Sequence, residues 1–271
     1  MELKDATVIV TGASSGIGRA AAVRFARAGS NVVLASRNGE ALEALAQELA
    51  GLPGRRLVAP TDVSDRDAMN MMVERAVAEF GSIEVLVSNA GVGLAATIAE
   101  GSIENIRRVF EVNFFGAVNC VQAVVPHMKE RHRGAIAIVS SVVGRLAPPY
   151  SGAYSATKGA LNALADSLRL ELSPYGIAVT AVYPGYTVTR FGENQIREIE
   201  TPPPSRLVRG ASADAVGRTI VRAVRDGKRD AYVTLGDAAA VMIKNLSSRP
   251  TGWGMRRLWL SGRRARPVRK R

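Results

Sequence analysis

Residues 140–160, SSVVGRLAPPYSGAYSATKGA, contain the side-chain types of a proton-transfer site. Tyr154 and Lys158 are four residues apart, so on a helix they share one face about a turn apart. Six tyrosines and six lysines in 271 residues would give only about 0.1 such pairs by chance, and Tyr154 is the one tyrosine that qualifies. A free phenol has a pKa near 10, too high to exchange protons efficiently at neutrality. A neighbouring ammonium stabilises the phenolate and lowers that value. A serine hydroxyl aimed at the same reacting oxygen would hold it in register and offset developing charge. Ser140 and Ser141 both stand at the end of a strand, where alternation points them in different directions, and either could serve.

A second chemical signal lies at the start of the chain, in TGASSGIG. Gly12, Gly16 and Gly18 allow a tight strand-to-helix turn and close approach of the backbone to an anion. Ser14, Ser15 and Ile17 complete the turn, and the helix that follows aims free N–H groups at a pyrophosphate. The second strand ends LASRN, with Ser36 where an acidic residue would bind a ribose 2′-hydroxyl and Arg37 immediately after. A guanidinium grips a 2′-phosphate with paired charge-assisted hydrogen bonds, so NADP(H) is expected over NAD(H). The bland reading of Arg37 is a solvated turn residue.

These side chains need a frame, and the pattern of the chain supplies one. Short β-branched runs (ATVIVTG, NVVLAS, RLVAP, EVLVSNAG, AIAIVSS, IAVTAVYPG and AYVTL) alternate with helical patterns. The helices include GIGRAAAVRFARAG, EALEALAQELAG, DRDAMNMMVERAVAEFG, a long stretch at 103–129, another at 152–172 and one near 213–226. Seven strands alternating with about six helices imply right-handed βαβ crossovers and a parallel sheet covered on both faces. The expected architecture is α/β, with one doubly wound domain over 1–236 and a C-terminal helix and basic tail over 237–271.

The glycine turn has the spacing G-x3-G-x-G, which departs from the common dinucleotide fingerprint and resembles the short-chain dehydrogenase/reductase family. NAG at 89–91, Asn113, SSV before Tyr154 and Lys158, and YPGYTVT after the sixth strand follow in the family's order over residues 5–236. The resemblance implies a Rossmann-type, seven-stranded parallel sheet and an oxidoreductase that interconverts a ketone or aldehyde and an alcohol. Family spacing selects Ser141 as the catalytic serine. It makes Tyr154 the general acid/base, has Lys158 also bind the nicotinamide ribose, and implies that Asn113 supports a proton-relay water. It places Asp62 and Val63 beside the adenine, and Asn89, Ala90 and Gly91 along the sugar and pyrophosphate. Pro184, Gly185, Thr187 and Thr189 fall where the carboxamide is cradled. A homodimer or homotetramer, paired through the helices at 103–129 and 152–172, is the family's habit. The alternative is a non-enzymatic NADP(H)-sensing or interaction protein on the same fold.

The substrate wall is expected from Val142, Val143, Leu146, Tyr150 and Tyr186, with a lid from Arg190 to Arg209. The first five are apolar enough for a lipophilic small-molecule carbonyl or alcohol. A single cysteine, Cys120, excludes an internal disulfide framework. HMKERH lacks metal-binding spacing, so His127 and His132 read as solvated residues and no metal is expected. No secretory signal is read at the N-terminus, and no run approaches about 18 uninterrupted apolar residues, which points to a cytoplasmic protein. The net charge of +12 is concentrated in the tail: from Ala238 onward there are ten basic residues and no acidic one. No specific nucleic-acid partner is expected. The tail, with Trp253, Leu258 and Trp259, suits packing on the body or a partner subunit, peripheral contact with an anionic membrane, or contact with another polyanion.

Overall fold

Alternating side chains on seven short strands decide the architecture. The strands are β1 (Thr7–Thr11), β2 (Asn31–Ser36), β3 (Arg56–Pro60), β4 (Val85–Ser88), β5 (Gly134–Val139), β6 (Ile177–Tyr183) and β7 (Asp230–Tyr232). On β1, Ile9 enters one core while Val8 and Val10 enter the other, so the sheet is apolar on both faces. The computed structural model describes residues 1–200, 210–247, 252–254 and 266–267. In it the seven strands form one parallel sheet in the order β7-β6-β5-β4-β1-β2-β3.

Three helices cover each face. α1 (Gly16–Arg27), α2 (Gly39–Glu48) and α7 (Ala213–Arg225) bury Phe25, Leu42, Leu45 and Ile220 on one side. α3 (Arg66–Phe80), α5 (Gly116–Glu130) and α6 (Gly152–Leu172) bury Met69, Val124, Met128 and Leu161 on the other. α1 and α7 touch closely at Gly217, where an added Cβ would lie 2.8 Å from the Ala20 backbone. Side-chain caps start α2 (Asn38), α3 (Asp65) and α7 (Ser212), matching the preference for short polar acceptors at this position.

The long helix expected at 103–129 is present but not uniform. α4 (Ile103–Phe110) passes through a π-helical turn, Glu111–Phe115, before continuing as α5. The turn carries buried Asn113, and such turns gather at functional positions. By length and mean hydropathy, 1.3, this unit at Ile103–Glu130 could cross a membrane. Its Val109, Cys120, Val124 and Met128 are instead buried in the protein core. The boundary expected at 236 falls inside α8 (Leu235–Leu246), whose Val241 joins the α3–α5–α6 core.

The strand order reverses between β1 and β4, which opens a crevice at the carboxyl ends of the strands. Small pairings frame its mouth. Leu94–Ala95 pairs with Ile196–Arg197, Thr187–Val188 with Ala211–Ser212, and Ile199–Glu200 with Arg266–Pro267. The TPPPSR stretch and the rest of the expected lid at 201–209 lie outside the described residues, as do Leu258 and Trp259.

Candidate active site

The glycine turn at the end of β1 has no room for side chains. A Cβ on Gly18 would stand 2.2 Å from the Gly12 carbonyl oxygen, and one on Gly12 would meet Asn89 Nδ2 at 2.8 Å. Gly12 and Gly16 also adopt φ of +67° and +55°, which favours glycine. Ser15 stands at the N-cap of α1, yet its side chain caps nothing, so the first-turn N–H groups keep their capacity for an anion. Ser14 and Ile17 lie in the same turn, with Ile17 packed on the core. Thr189 reaches the turn from the other side, its Cγ2 3.4 Å from where a Gly16 Cβ would be. A cleft of about 360 Å³ borders the turn, lined among others by Gly16, Arg19, Thr189 and Arg190.

One residue that the sequence pattern did not single out ties β1 to β4 here. Thr11 Oγ1 accepts from the backbone N–H of Asn89 at 3.0 Å and of Ala90 at 3.1 Å. Asn89 Nδ2 donates to the Thr11 carbonyl at 2.9 Å. Gly91 follows, and a Cβ there would lie 3.0 Å from Asn113 Oδ1 and 3.8 Å from Lys158 Nζ. The NAG segment therefore runs from the glycine turn to the reacting residues.

At the other end of the crevice stand Ser36, Arg37, Asp62 and Val63. The buried Ser36 hydroxyl oxygen has no hydrogen-bond partner in the structure. Arg37 is exposed, its Nη1 3.8 Å from Asp62 Oδ2. Burial pushes the Asp62 carboxyl up, but hydrogen bonds from the Ser64 side chain and backbone and the charges of Arg37 and Arg108 outweigh it. Its pKa ends below the ordinary value, so the group is ionised at neutrality. Val63 is buried and its carbonyl accepts from Asn119 Nδ2 at 3.0 Å. An orphaned buried hydroxyl, a crowded glycine turn and an uncapped helix N-terminus fit an extended dinucleotide.

The candidate proton-transfer side chains lie just after β5 and in the first turns of α6. Ser140 and Ser141 do face different partners. Ser140 Oγ donates within a buried pair with Asn162 Oδ1 at 2.6 Å and lies 3.0 Å from the Lys158 carbonyl. Ser141 Oγ donates to the Pro184 carbonyl at 3.1 Å and accepts from Val143 N at 3.3 Å. Lys158 is buried and its Nζ donates to the Val139 carbonyl at 2.9 Å. That nitrogen sits 5.8 Å from the centre of the Tyr154 ring. Asn113 accepts from Val92 N at 2.8 Å and donates to Val92 O at 3.0 Å and to Thr157 Oγ1 at 3.1 Å. It thus locks the π-helical turn to α6 and to the segment after NAG.

Burial sets the protonation of both groups in the structure. Burial pushes the Tyr154 phenol well above its ordinary value and pulls the Lys158 ammonium down to about 8. The cause is desolvation of both groups on burial, while the ammonium's hydrogen bond goes to the Val139 carbonyl.

The expected wall residues make contacts of their own. Tyr150 is held at φ +64° with its carbonyl accepting from Ala96 N at 3.0 Å. Val142 N donates to Pro184 O at 3.1 Å, and Thr187 Oγ1 to Gly185 O at 3.1 Å. Gly185 approaches α8 so closely that a Cβ would lie 2.1 Å from Asp237 Oδ1. Tyr186 is half exposed and the least enclosed of the expected wall residues. Two residues emerge that the sequence pattern did not mark. Phe191 packs its ring against Tyr154, centroids 5.9 Å apart. Glu198 latches the lid to the start of α4, accepting from Ser102 N at 3.0 Å and Asn105 Nδ2 at 2.6 Å. Among the described residues no group of three or more His, Cys, Asp or Glu could hold a metal ion.

The family model described as "short chain dehydrogenase" matches residues 6–200. "Dehydrogenase/reductase SDR family member 7B" of Xenopus tropicalis is 35% identical over 255 residues, covering 90% of this chain and 82% of that protein. The mouse protein of the same name is 36% identical over 257 residues, covering 90% and 78%. Among solved structures, a short chain dehydrogenase/reductase from Burkholderia phymatum in complex with NAD has a TM-score of 0.81 at 25% identity, covering 92% of this chain and 96% of that one. A 3-ketoacyl-ACP reductase from Sinorhizobium meliloti 1021 has a TM-score of 0.74 at 30% identity, covering 83% and 96%.

Proposed function

Because the chain belongs to the short-chain dehydrogenase family, we propose that it is an NADP(H)-dependent oxidoreductase that interconverts a lipophilic ketone or aldehyde and its alcohol. The observation that supports this reading is Lys158 Nζ held 5.8 Å from the centre of the Tyr154 ring and 3.8 Å from where a Gly91 Cβ would lie, in a fold whose glycine turn leaves the α1 N-terminus uncapped. NADP(H), when bound, supplies or accepts the hydride.

The chain's own residues then handle the proton and the oxygen. With its pKa raised by burial, Tyr154 keeps its proton at neutrality, which suits donation to a carbonyl oxygen as that oxygen gains charge. Lys158 offsets the charge left on the phenolate. Ser141 holds the substrate oxygen, for which its hydroxyl must turn away from the Pro184 carbonyl it now faces. Asn113 acts through Val92 and Thr157 to keep α6 in register with the NAG segment.

The phosphate preference rests on Ser36 and Arg37, since a serine at the end of β2 does not repel a 2′-phosphate and the exposed guanidinium can pair with it. The Burkholderia phymatum neighbour is a complex with NAD, so titration with both cofactors decides the point. Val143, Tyr150, Phe191 and Tyr186 would form the substrate wall. Exposed Ile103, Phe115 and Leu170 on the long helices support pairing of subunits into a cytoplasmic homodimer or homotetramer.

The test is NADPH oxidation across ketones of graded size and polarity, with Tyr154→Phe as the blank. Turnover should fall about 10²- to 10⁴-fold in the variant while NADPH binding persists. A Tyr154→Phe protein that turns over substrate at the wild-type rate would refute the assignment, and a chain that binds NADPH but reduces nothing would favour the sensing alternative.

A further inference from the structure

α8 wears its amphipathicity inside out. Its inner side is seated on the active-site wall: Val241 is buried, Lys244 Nζ donates to the carbonyl of Arg145, and the first turn meets Gly185. Its outer side carries Leu235, Met242 and Leu246, exposed by 91%, 66% and 81%, with Ala239 and Ile243 also exposed. Residues 235, 239, 242 and 246 follow the spacing of a single helical stripe. Trp253, a short distance on, is 63% exposed. A monomer in water gains nothing from an ordered helix whose apolar residues face solvent.

The charge around that stripe says what it meets. From Ala238 to the end of the chain there are ten basic residues and no acidic one. An apolar helical stripe followed by tryptophan and a run of cations is the combination that seats a helix in the headgroup region of an anionic bilayer. A second copy fits less well, because its own α8 region offers the same apolar stripe and cationic residues with no acidic side chain from Ala238 onward to pair with them. A nucleic acid would take the arginines but leave the apolar stripe in water.

We infer that the outer face of α8 and the arginine-rich segment after it dock this enzyme on the surface of an anionic membrane. Docking there sets α8 between the bilayer and the wall at 143–146, which its inner side touches. The inference does not depend on the carbonyl reading, since its test reads binding and not turnover.

The experiment is flotation of the full chain with phosphatidylcholine vesicles, with and without about 30 mol% phosphatidylserine. The wild type should float with the anionic vesicles, stay behind with the neutral ones, and be partly released by salt. Met242→Glu/Leu246→Glu should weaken partitioning by at least about tenfold. Arg263→Glu/Arg264→Glu should reduce the difference between the two vesicle types. Unchanged thermal midpoints and NADPH affinity would show that both variants are folded. A wild type that stays down with anionic vesicles at low salt overturns the proposal. So does a Met242→Glu/Leu246→Glu protein that floats like the wild type, or one that loses only its oligomeric mass in light scattering, the sign of a contact between copies.

Discussion

Replacing the buried Lys158 by methionine should stabilise the protein while disabling it. Burial pulls the ammonium from its ordinary 10.5 down to about 8. At 1.36 kcal/mol per tenfold, the folded protein disfavours the charged form by about 3 kcal/mol. The sign follows from proton counting. Below pH 8 both states hold the proton and the folded state bears the whole cost. Between 8 and 10.5 the unfolded chain holds a proton that the folded one has released, so stability rises with pH. Tyr154 and Cys120, both shifted upward by burial, act in the opposite sense above their ordinary 10.0 and 9.0, but both are common to the two proteins, so the difference between them isolates Lys158. From pH 7 to about 9.5 the wild type should gain about 2 kcal/mol from this residue, read as urea midpoints at matched ionic strength. Lys158→Met should lack that gain. At pH 7 it should be more stable by about 1–2 kcal/mol, after losing the hydrogen bond to Val139. Turnover should fall by about 10²-fold or more. Superimposable pH dependences for the two proteins would refute the reasoning, because every other titrating group is common to both.

Other perturbations separate cofactor, turn and lid. Arg37→Ala should weaken NADPH binding by about 10- to 100-fold, the loss of a charge-assisted hydrogen bond, and leave NADH nearly unchanged; equal losses for both in a fluorescence titration would remove Arg37 from phosphate recognition. Gly18→Ala forces a Cβ to 2.2 Å from the Gly12 carbonyl oxygen, so NADPH binding should vanish and stability drop by about 1–3 kcal/mol; retained binding would mean the turn can spread. Glu198→Ala frees Ser102 N and Asn105 Nδ2 at the start of α4, costing about 1 kcal/mol in unfolding midpoint and raising KM more than it lowers kcat. A kcat loss without a KM change would place Glu198 in the chemistry instead of the lid.

What could be read from the sequence were features whose signal is local. A strand buried on both faces must be a continuous apolar run, and the seven runs became the seven strands. The glycine spacing of the first turn follows from contacts between residues six apart, as the 2.2 Å approach at Gly18 shows. Tyr154 and Lys158 are linked by helical period alone. Long-range partners leave no such mark. Thr11 reaches backbone groups 78 and 79 residues away, Asn162 meets Ser140 across 22, and Glu198 caps a helix 96 residues earlier. Each is an ordinary polar residue until the fold assigns its neighbour.

The surroundings of Lys158 belong to the same class, and they are the more instructive case. Helical spacing correctly puts an ammonium near a phenol, but the sign of a pKa shift depends on solvent exclusion, and the ammonium's hydrogen bond depends on where a third group lies. Here that group is the Val139 carbonyl, at the end of a strand that is 19 residues distant in sequence. The carbonyl holds the ammonium inside the protein at 2.9 Å, and the protein bears the desolvation that results. A buried cation held beside a proton donor is costly for folding and suited to stabilising a phenolate. The burial that weakens the fold near pH 7 therefore sets the charge beside the phenol, and the 2.9 Å contact to Val139 offsets part of that cost.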